Sequence, residues 1–394
     1  MNLCKIYSAG NCARNFKIIR SLSTGGQKRE NSENSKAKTG ILMINMGGPS
    51  KLEQVQEFLT RIITDRDMMQ MPMQSKLGPW IAKMRAPKVM QKYSEIGGGS
   101  PILKWTNLQG ELMCQELDKI SPESGPHKHY VGFRYADPLT EVALQQIEAD
   151  GIEHMIIFSQ YPHYSCATAG SSFTVISDYY KKRGLPKNMK LSIIDRWGTH
   201  PLLARTVAER IKDELKHFDD KIKKDVLILF SAHSIPLRVL NRGDSYPSEI
   251  AATVHMVMNE LNHCNPYQIV WQSKVGPLPW LGPATHNSLR GYVEQGKKNF
   301  IIVPIAFVNE HIETLHELDI QYCTDLAREL KIEKIRRTPT PNDHPLFIKA
   351  LADVVKNHLH SKKAISPKFV TRCPQCVNEN CQPCKSWFAQ NCRM

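Results

Sequence analysis

The chain has 394 residues, of which 41% are apolar and 23% charged, and its formal charge is +14. That length suits two or three domains with sizeable cores, and no apolar run approaches the roughly 18 residues of a membrane span. Lys and Arg number 52 against 38 Asp and Glu, an excess that raises nucleic acid and anionic membranes as partners. No basic stripe interleaved with aromatics and no zinc-finger, RNA-binding or helix-turn-helix pattern accompanies it, which argues against nucleic acid.

Six basic side chains (Lys5, Arg14, Lys17, Arg20, Lys28, Arg29) and no acidic one fall in the first 29 residues. Cationic, acid-poor composition of this kind marks a mitochondrial presequence, which we assign to residues 1–36; a basic tail is the plainer alternative. Apolar β-like runs then alternate with helical patterns: 40–46, followed by Gly47-Gly48-Pro49 and an amphipathic stretch 52–63, then 130–134, 154–160 and 191–195, with a helical stretch 138–150 among the connections. Continuous apolar runs separated by helices predict parallel strands buried on both faces.

The pattern recurs at 225–234, 268–274, 299–307 and 333–337. The expected fold is therefore α/β: two similar Rossmann-like domains with parallel sheets flanked by helices, at 37–220 and 221–360, plus a Cys-rich extension at 361–394. Ligands of such folds bind outside the carboxyl ends of the strands, which directs attention to the segments just after each run. Neither Gly47-Gly48-Pro49 nor Gly97-Gly98-Gly99-Ser100-Pro101 matches a dinucleotide fingerprint or a phosphate loop.

His233 ends one run, where it can face the cleft and exchange protons near neutral pH, or simply be a bonded strand-end histidine. Glu310, His311 and Glu313 follow the run 299–307; carboxylates beside a histidine suit proton abstraction or passage of a divalent cation, while acidic residues at a helix start also answer the helix dipole. In the first half, the corresponding loop carries His163 and Cys166. Between Met68 and Lys88 lies a Met- and Pro-rich stretch with Trp80 and interspersed cations, read as an exposed apolar loop that docks on a membrane or covers an apolar ligand.

Cys373, Cys376, Cys381, Cys384 and Cys392 place five of the 11 cysteines in the last 22 residues. The Cys-x2-Cys-x4-Cys-x2-Cys spacing brings thiolates close enough to share a metal centre, and both zinc and an iron–sulfur cluster accept four of them.

These features converge in Leu-Met-Ile-Asn-Met-Gly-Gly-Pro (42–49), Ile-Gly-Gly-Gly-Ser-Pro (96–101), Gly-Phe-Arg-Tyr (132–135), Gln-Tyr-Pro-His-Tyr-Ser-Cys (160–166), Phe-Ser-Ala-His-Ser (230–234), Trp-Gln-Ser-Lys-Val-Gly-Pro (271–277) and His-Ile-Glu-Thr-Leu (311–315). Together they resemble the ferrochelatase family in its mitochondrial, cluster-bearing animal form, from about Gly40 to Lys385. The resemblance implies a lyase that inserts Fe²⁺ into protoporphyrin IX to give protohaem, the terminal step of haem biosynthesis. It assigns His233 and Glu313 to pyrrole proton acceptance or metal guidance, with His200 and Asp353 as further active-site positions. Arg85, Tyr93 and Ser100 would contact the porphyrin, and Met46, Arg134 and Tyr135 would lie on its opposite face, Tyr135 as an early metal contact.

The resemblance also implies a [2Fe–2S] cluster on Cys373, Cys376, Cys381 and Cys166. Cys384 departs from the pattern and could complete a local set instead; Glu310 stands where many relatives carry Asp. Peripheral attachment to the matrix side of the mitochondrial inner membrane and a homodimer are implied as well. A porphyrin or haem carrier, or an iron–sulfur sensor of the same fold without catalysis, is the competing reading, and within enzymes a chelatase for another metal or tetrapyrrole.

Overall fold

In the computed structural model, residues 37–68 and 71–394 are described; the segment assigned as a presequence lies outside them, as do Met69 and Gln70 of the Met-rich stretch. Each apolar run becomes a strand: β1 (Thr39–Asn45), β2 (His127–Phe133), β3 (His154–Ser159) and β4 (Lys190–Ile194), then β5 (Leu227–His233), β6 (Tyr267–Gln272), β7 (Asn299–Pro304) and β8 (Lys334–Arg337). They form two four-stranded parallel sheets of identical order, β2-β1-β3-β4 and β6-β5-β7-β8. In both, the chain reverses its direction across the sheet at the first strand. The crevice of each half therefore opens at the carboxyl ends of β1 and β5, where Met46 follows β1 and His233 ends β5.

Period-2 alternation assigns each strand residue to a face. Ile41 and Met43 of β1, Ile228 and Phe230 of β5 and Ile301 and Val303 of β7 share one large core with the helices Ile102–Ile120, Pro201–Leu215, Tyr246–Glu260 and Pro345–Ser361. Leu42 and Ile44 face the other way, into a second core that also takes up Phe369, Cys384 and Phe388 of the Cys-rich extension. Two fully desolvated phenylalanines, each worth roughly 1.5–3 kcal/mol of transfer free energy, thus bind the extension to the first sheet.

The Met-rich stretch differs from its expected loop. It opens with Met73 in the left-handed region (φ 48°) and runs into a 22-residue helix, α2 (Gln74–Glu95), which packs on α1 (Val55–Thr64) through Ala82, Ala86 and Tyr93. Pro79 and Pro87 lie inside α2. Proline removes the bond to the carbonyl four residues back, here Ser75 and Lys83. Both prolines and both of these residues are exposed, so water can satisfy the freed carbonyls. Met73, Leu77, Trp80 and Met84 recur at helical spacing on the solvent side and are exposed.

A second departure follows β3 and β7. Cys166–Gly170 after β3, and Glu313–Leu326 after β7, are π-helical. Wide turns of this kind are rare and concentrate at functional positions. No helix among the described residues is long and apolar enough to cross a membrane.

Candidate active site

His233 is the last residue of β5, beyond which residues 235–237 turn to pair antiparallel with 279–281. Its Nδ1 lies 2.5 Å from the Ser234 carbonyl. A carbonyl only accepts, so Nδ1 carries a proton, and in the neutral ring the lone pair lies on Nε2. That nitrogen stands 3.5 Å from Glu313 Oε1, and His311 Nε2 stands 3.6 Å from Glu313 Oε2. Glu313 is thus placed between two imidazoles by the first residue of the π-helix. Burial lowers the His311 pKa, against the pull of Glu313 and Glu310. The His233 and Glu313 side chains are about one-third exposed, so both remain open to a ligand.

Three buried phenols feel the Glu313 charge. Tyr93 of α2, Tyr161 after β3 and Tyr246 all have pKa values raised, first by burial and then by the Glu313 charge. The Glu313 charge therefore reaches the first half and the α2 helix as well as its own half. Tyr161 also receives the Met46 N–H at 3.0 Å and donates to Asn45 Oδ1 at 3.0 Å, fixing the end of β1. Gly47 has φ +79°, and a Cβ there would lie 2.7 Å from the Phe133 ring; only glycine permits this turn beside Met46.

Arg134 and Tyr135 extend the β1–β2 pairing, their N–H groups donating to Asn45 O and Met46 O. Arg134 Nη2 contacts Asp65 Oδ2 at 2.8 Å, and its guanidinium lies over the Tyr135 ring. Tyr135 has no exposed surface, and its hydroxyl donates to Asp65 Oδ2 at 2.7 Å. In this arrangement that hydroxyl is taken up by the nearest carboxylate, as a buried hydroxyl must find an acceptor.

Ser100 is buried against the Gly47-Gly48 turn, whereas Arg85 is exposed on α2 without a hydrogen bond or ion pair among the described residues. His200 Nε2 meets Asp353 Oδ2 at 2.9 Å. The two are brought to each other across the helices Pro201–Leu215 and Pro345–Ser361, with no bond to His233 or Glu313 among the described residues. Glu310 turns away from the histidines: Arg337 at 2.9 Å, the Thr340 N–H at 2.9 Å and the Thr314 hydroxyl at 2.5 Å all bind its buried carboxylate.

Sequence reasoning gave no role to Tyr161 or Asp65. Tyr161 stands inside the Gln-Tyr-Pro motif and could have been found there. Nothing local in Thr64-Asp65-Arg66-Asp67 marks Asp65.

Among the described residues, no group of three or more His, Cys, Asp or Glu side chains closes around a single ion. The cysteines form a looser neighbourhood. Burial raises the Cys166 pKa first, with smaller contributions that include the thiols of Cys373 and Cys376, while Cys376 and Cys381 share a thiol hydrogen bond. Lys385 is buried beside them and donates to the carbonyls of Phe369 and Thr371; its charge favours the thiolates of Cys373 and Cys381. Cys384 is buried in the second core, where burial raises its pKa against Ser177 and Thr174, and it lines one cavity with Cys166 and Cys381.

Comparison with known proteins gives this geometry a family. The ferrochelatase family profile matches residues 38–359. The chain is similar to the mitochondrial ferrochelatase of Drosophila melanogaster, 62% identical over 378 residues that cover 96% of this chain and 98% of that protein. Its similarity to the mitochondrial ferrochelatase of Gallus gallus is 55% identity over 90% of this chain and 89% of that one, and to that of Homo sapiens 53% over 92% and 86%. A profile match over most of the chain, joined to relatives more than half identical along nearly their whole length, establishes that this chain belongs to the ferrochelatase family.

Proposed function

We propose that the protein is a metal chelatase of the lyase class that inserts Fe²⁺ into protoporphyrin IX to form protohaem, the terminal step of haem biosynthesis. The observation that carries this reading is the His233–Glu313–His311 cluster at the carboxyl ends of β5 and β7. Insertion forms four Fe–N bonds and releases two N–H protons. A free imidazole nitrogen accepts one proton, and the neighbouring Glu313 carboxylate takes the second or passes it to solvent, both side chains being about one-third exposed. Fe²⁺ is substrate here, and no nucleotide is consumed.

Met46 and Arg134 form the facing wall, with Tyr135 supporting Arg134 from beneath. Tyr93 and Ser100 line the α2 side, and the unpaired guanidinium of Arg85 suits a propionate. Peripheral binding energy of this kind can be used to bend the macrocycle so that nitrogen lone pairs leave its plane. His200 and Asp353, bonded to each other, hold two helices together.

Cys166, Cys373, Cys376 and Cys381 would hold a [2Fe–2S] cluster. Cys376 and Cys381 act on each other, Cys166 feels Cys373 and Cys376, and buried Lys385 offsets thiolate charge, a donor set that fits such a cluster. When bound, such a cluster supplies structural cross-linking or redox sensing, since insertion involves no net electron transfer. Residues 37–220 and 221–360 are assigned as the two α/β halves and 361–394 as the extension. The exposed Met73, Leu77, Trp80 and Met84 stripe supports docking on the matrix face of the mitochondrial inner membrane. A homodimer, implied by family membership, is checked by sedimentation.

The test is anaerobic mixing of protein, protoporphyrin IX and Fe²⁺, following porphyrin fluorescence and haem absorbance. Loss of fluorescence over many turnovers is expected. Stoichiometric binding without conversion would overturn the reading in favour of a carrier.

A further inference from the structure

Asp65 sits where three supports of the proposed porphyrin wall meet. Its Oδ2 accepts from the Tyr135 hydroxyl at 2.7 Å, the Ser171 hydroxyl at 2.6 Å and Arg134 Nη2 at 2.8 Å, and Arg134 Nε also donates to Ser171 Oγ at 2.9 Å. Its other oxygen, Oδ1, accepts the Asp67 N–H at 2.8 Å. Asp67 in turn uses its own Oδ1 to receive the side-chain amides of Asn378, at 3.2 Å, and Asn380, at 3.0 Å.

Those two asparagines lie between Cys376 and Cys381. Their loop is stiffened by Asn380 N–H donating to Asn378 Oδ1, and by Arg372 donating to the Cys376 and Asn378 carbonyls. From the opposite direction, Ser171 directly follows the π-helical turn Cys166–Gly170. Two routes from the cysteine neighbourhood therefore converge on one carboxylate, which itself orients Arg134.

We propose that Asp65 is a positioning residue for Arg134 and Tyr135, and that the Asn378–Asn380 loop sets its position through Asp67. Order in the cysteine loop is thereby transmitted to the wall facing the substrate. This rests on the reading of Arg134 as part of the porphyrin site. A buried carboxylate with four donors has one well-defined geometry, and loosening the turn that holds it frees several partners together. The bland alternative is that Asn378 and Asn380 only fasten the tail, in which case the wall would not respond to them.

The experiment uses the full chain as purified, with Asn378→Ala/Asn380→Ala, Asp67→Ala and Asp67→Asn variants. Three readouts are taken: visible absorbance per protein, amide hydrogen exchange at 65–67 and 134–135, and steady-state kcat and KM for protoporphyrin IX. In the double variant and in Asp67→Ala, exchange at both segments should rise about tenfold, and kcat should fall about tenfold with KM within about twofold. Absorbance should hold at the parent's level. Asp67→Asn keeps an acceptor oxygen and should restore most of both effects.

Unchanged exchange at 65–67 and 134–135 in the double variant overturns the inference, as does a loss of kcat that merely tracks lost absorbance. A parent protein without turnover would overturn the chelatase reading instead, and the exchange readout would still decide this one.

Discussion

His233 Nε2 faces Glu313 Oε1 across 3.5 Å while its Nδ1 proton is held by the Ser234 carbonyl. The backbone thus fixes the tautomer, and the nitrogen turned toward Glu313 is the one able to take a proton. His233→Ala should keep porphyrin binding and lower kcat by about 10²–10⁴-fold, the usual range for a general base. Fluorescence titration and steady-state rates check this; a near-normal kcat removes His233 from the mechanism.

Cys166 feels the charges of Cys373 and Cys376, whereas Cys384, which lines a cavity with Cys166 and Cys381, feels chiefly burial, Ser177 and Thr174. Cys166→Ser should therefore abolish the cluster's visible absorbance, and Cys384→Ser should leave it. Spectra of anaerobically purified variants decide between them; the reverse pattern assigns the fourth thiolate to Cys384.

Arg337 joins Glu310 to Asp319, bonding the first at 2.9 Å and the second through both Nε and Nη2 at 2.5 and 2.7 Å. It ties the segment before the π-helix to the helix itself. Burial opposes ionisation of Glu310, yet Arg337, Thr314 and Thr340 hold its pKa below the usual carboxylate value. Arg337→Leu leaves that carboxylate buried without a cation and should cost about 3–5 kcal/mol, read from denaturant unfolding. Losing less than about 1 kcal/mol would show that the clamp is dispensable.

His154, His163 and His358 each have the pKa lowered from 6.5 to about 4, chiefly by burial. The unfolded chain binds protons on these rings below pH 6.5, while the folded chain resists until about pH 4. Their contribution to stability is therefore complete above pH 6.5 and lost as pH falls toward about 4. Thermal unfolding across that range should show the fall, and His163→Gln should reduce its slope; an unchanged slope would exclude His163 as a contributor.

Trp80 and Met84 are 62% and 65% exposed on α2, so charges there leave the core intact. Trp80→Glu/Met84→Glu should weaken sedimentation with anionic vesicles by about tenfold or more, given roughly 1.5–3 kcal/mol for each side chain buried in lipid. Undiminished vesicle binding would move the membrane contact elsewhere.

The sequence by itself determined the eight strands and their repeat, because a parallel strand covered on both faces must be a continuous apolar run. It also displayed His233, Glu313 and the tail cysteines, whose side-chain chemistry is visible without coordinates. Tertiary structure decided what those groups touch. The Met-rich stretch became a helix because its prolines fell on the wet side, and Glu310 was drawn from the histidines to Arg337, 27 residues away. Asn378 binds Asp67 across 311 positions, and Asp65 binds Tyr135 across 70. Local periodicity records which face of an element is buried; it holds nothing about which distant polar group will meet a carboxylate there, since that is set by how the folded elements pack.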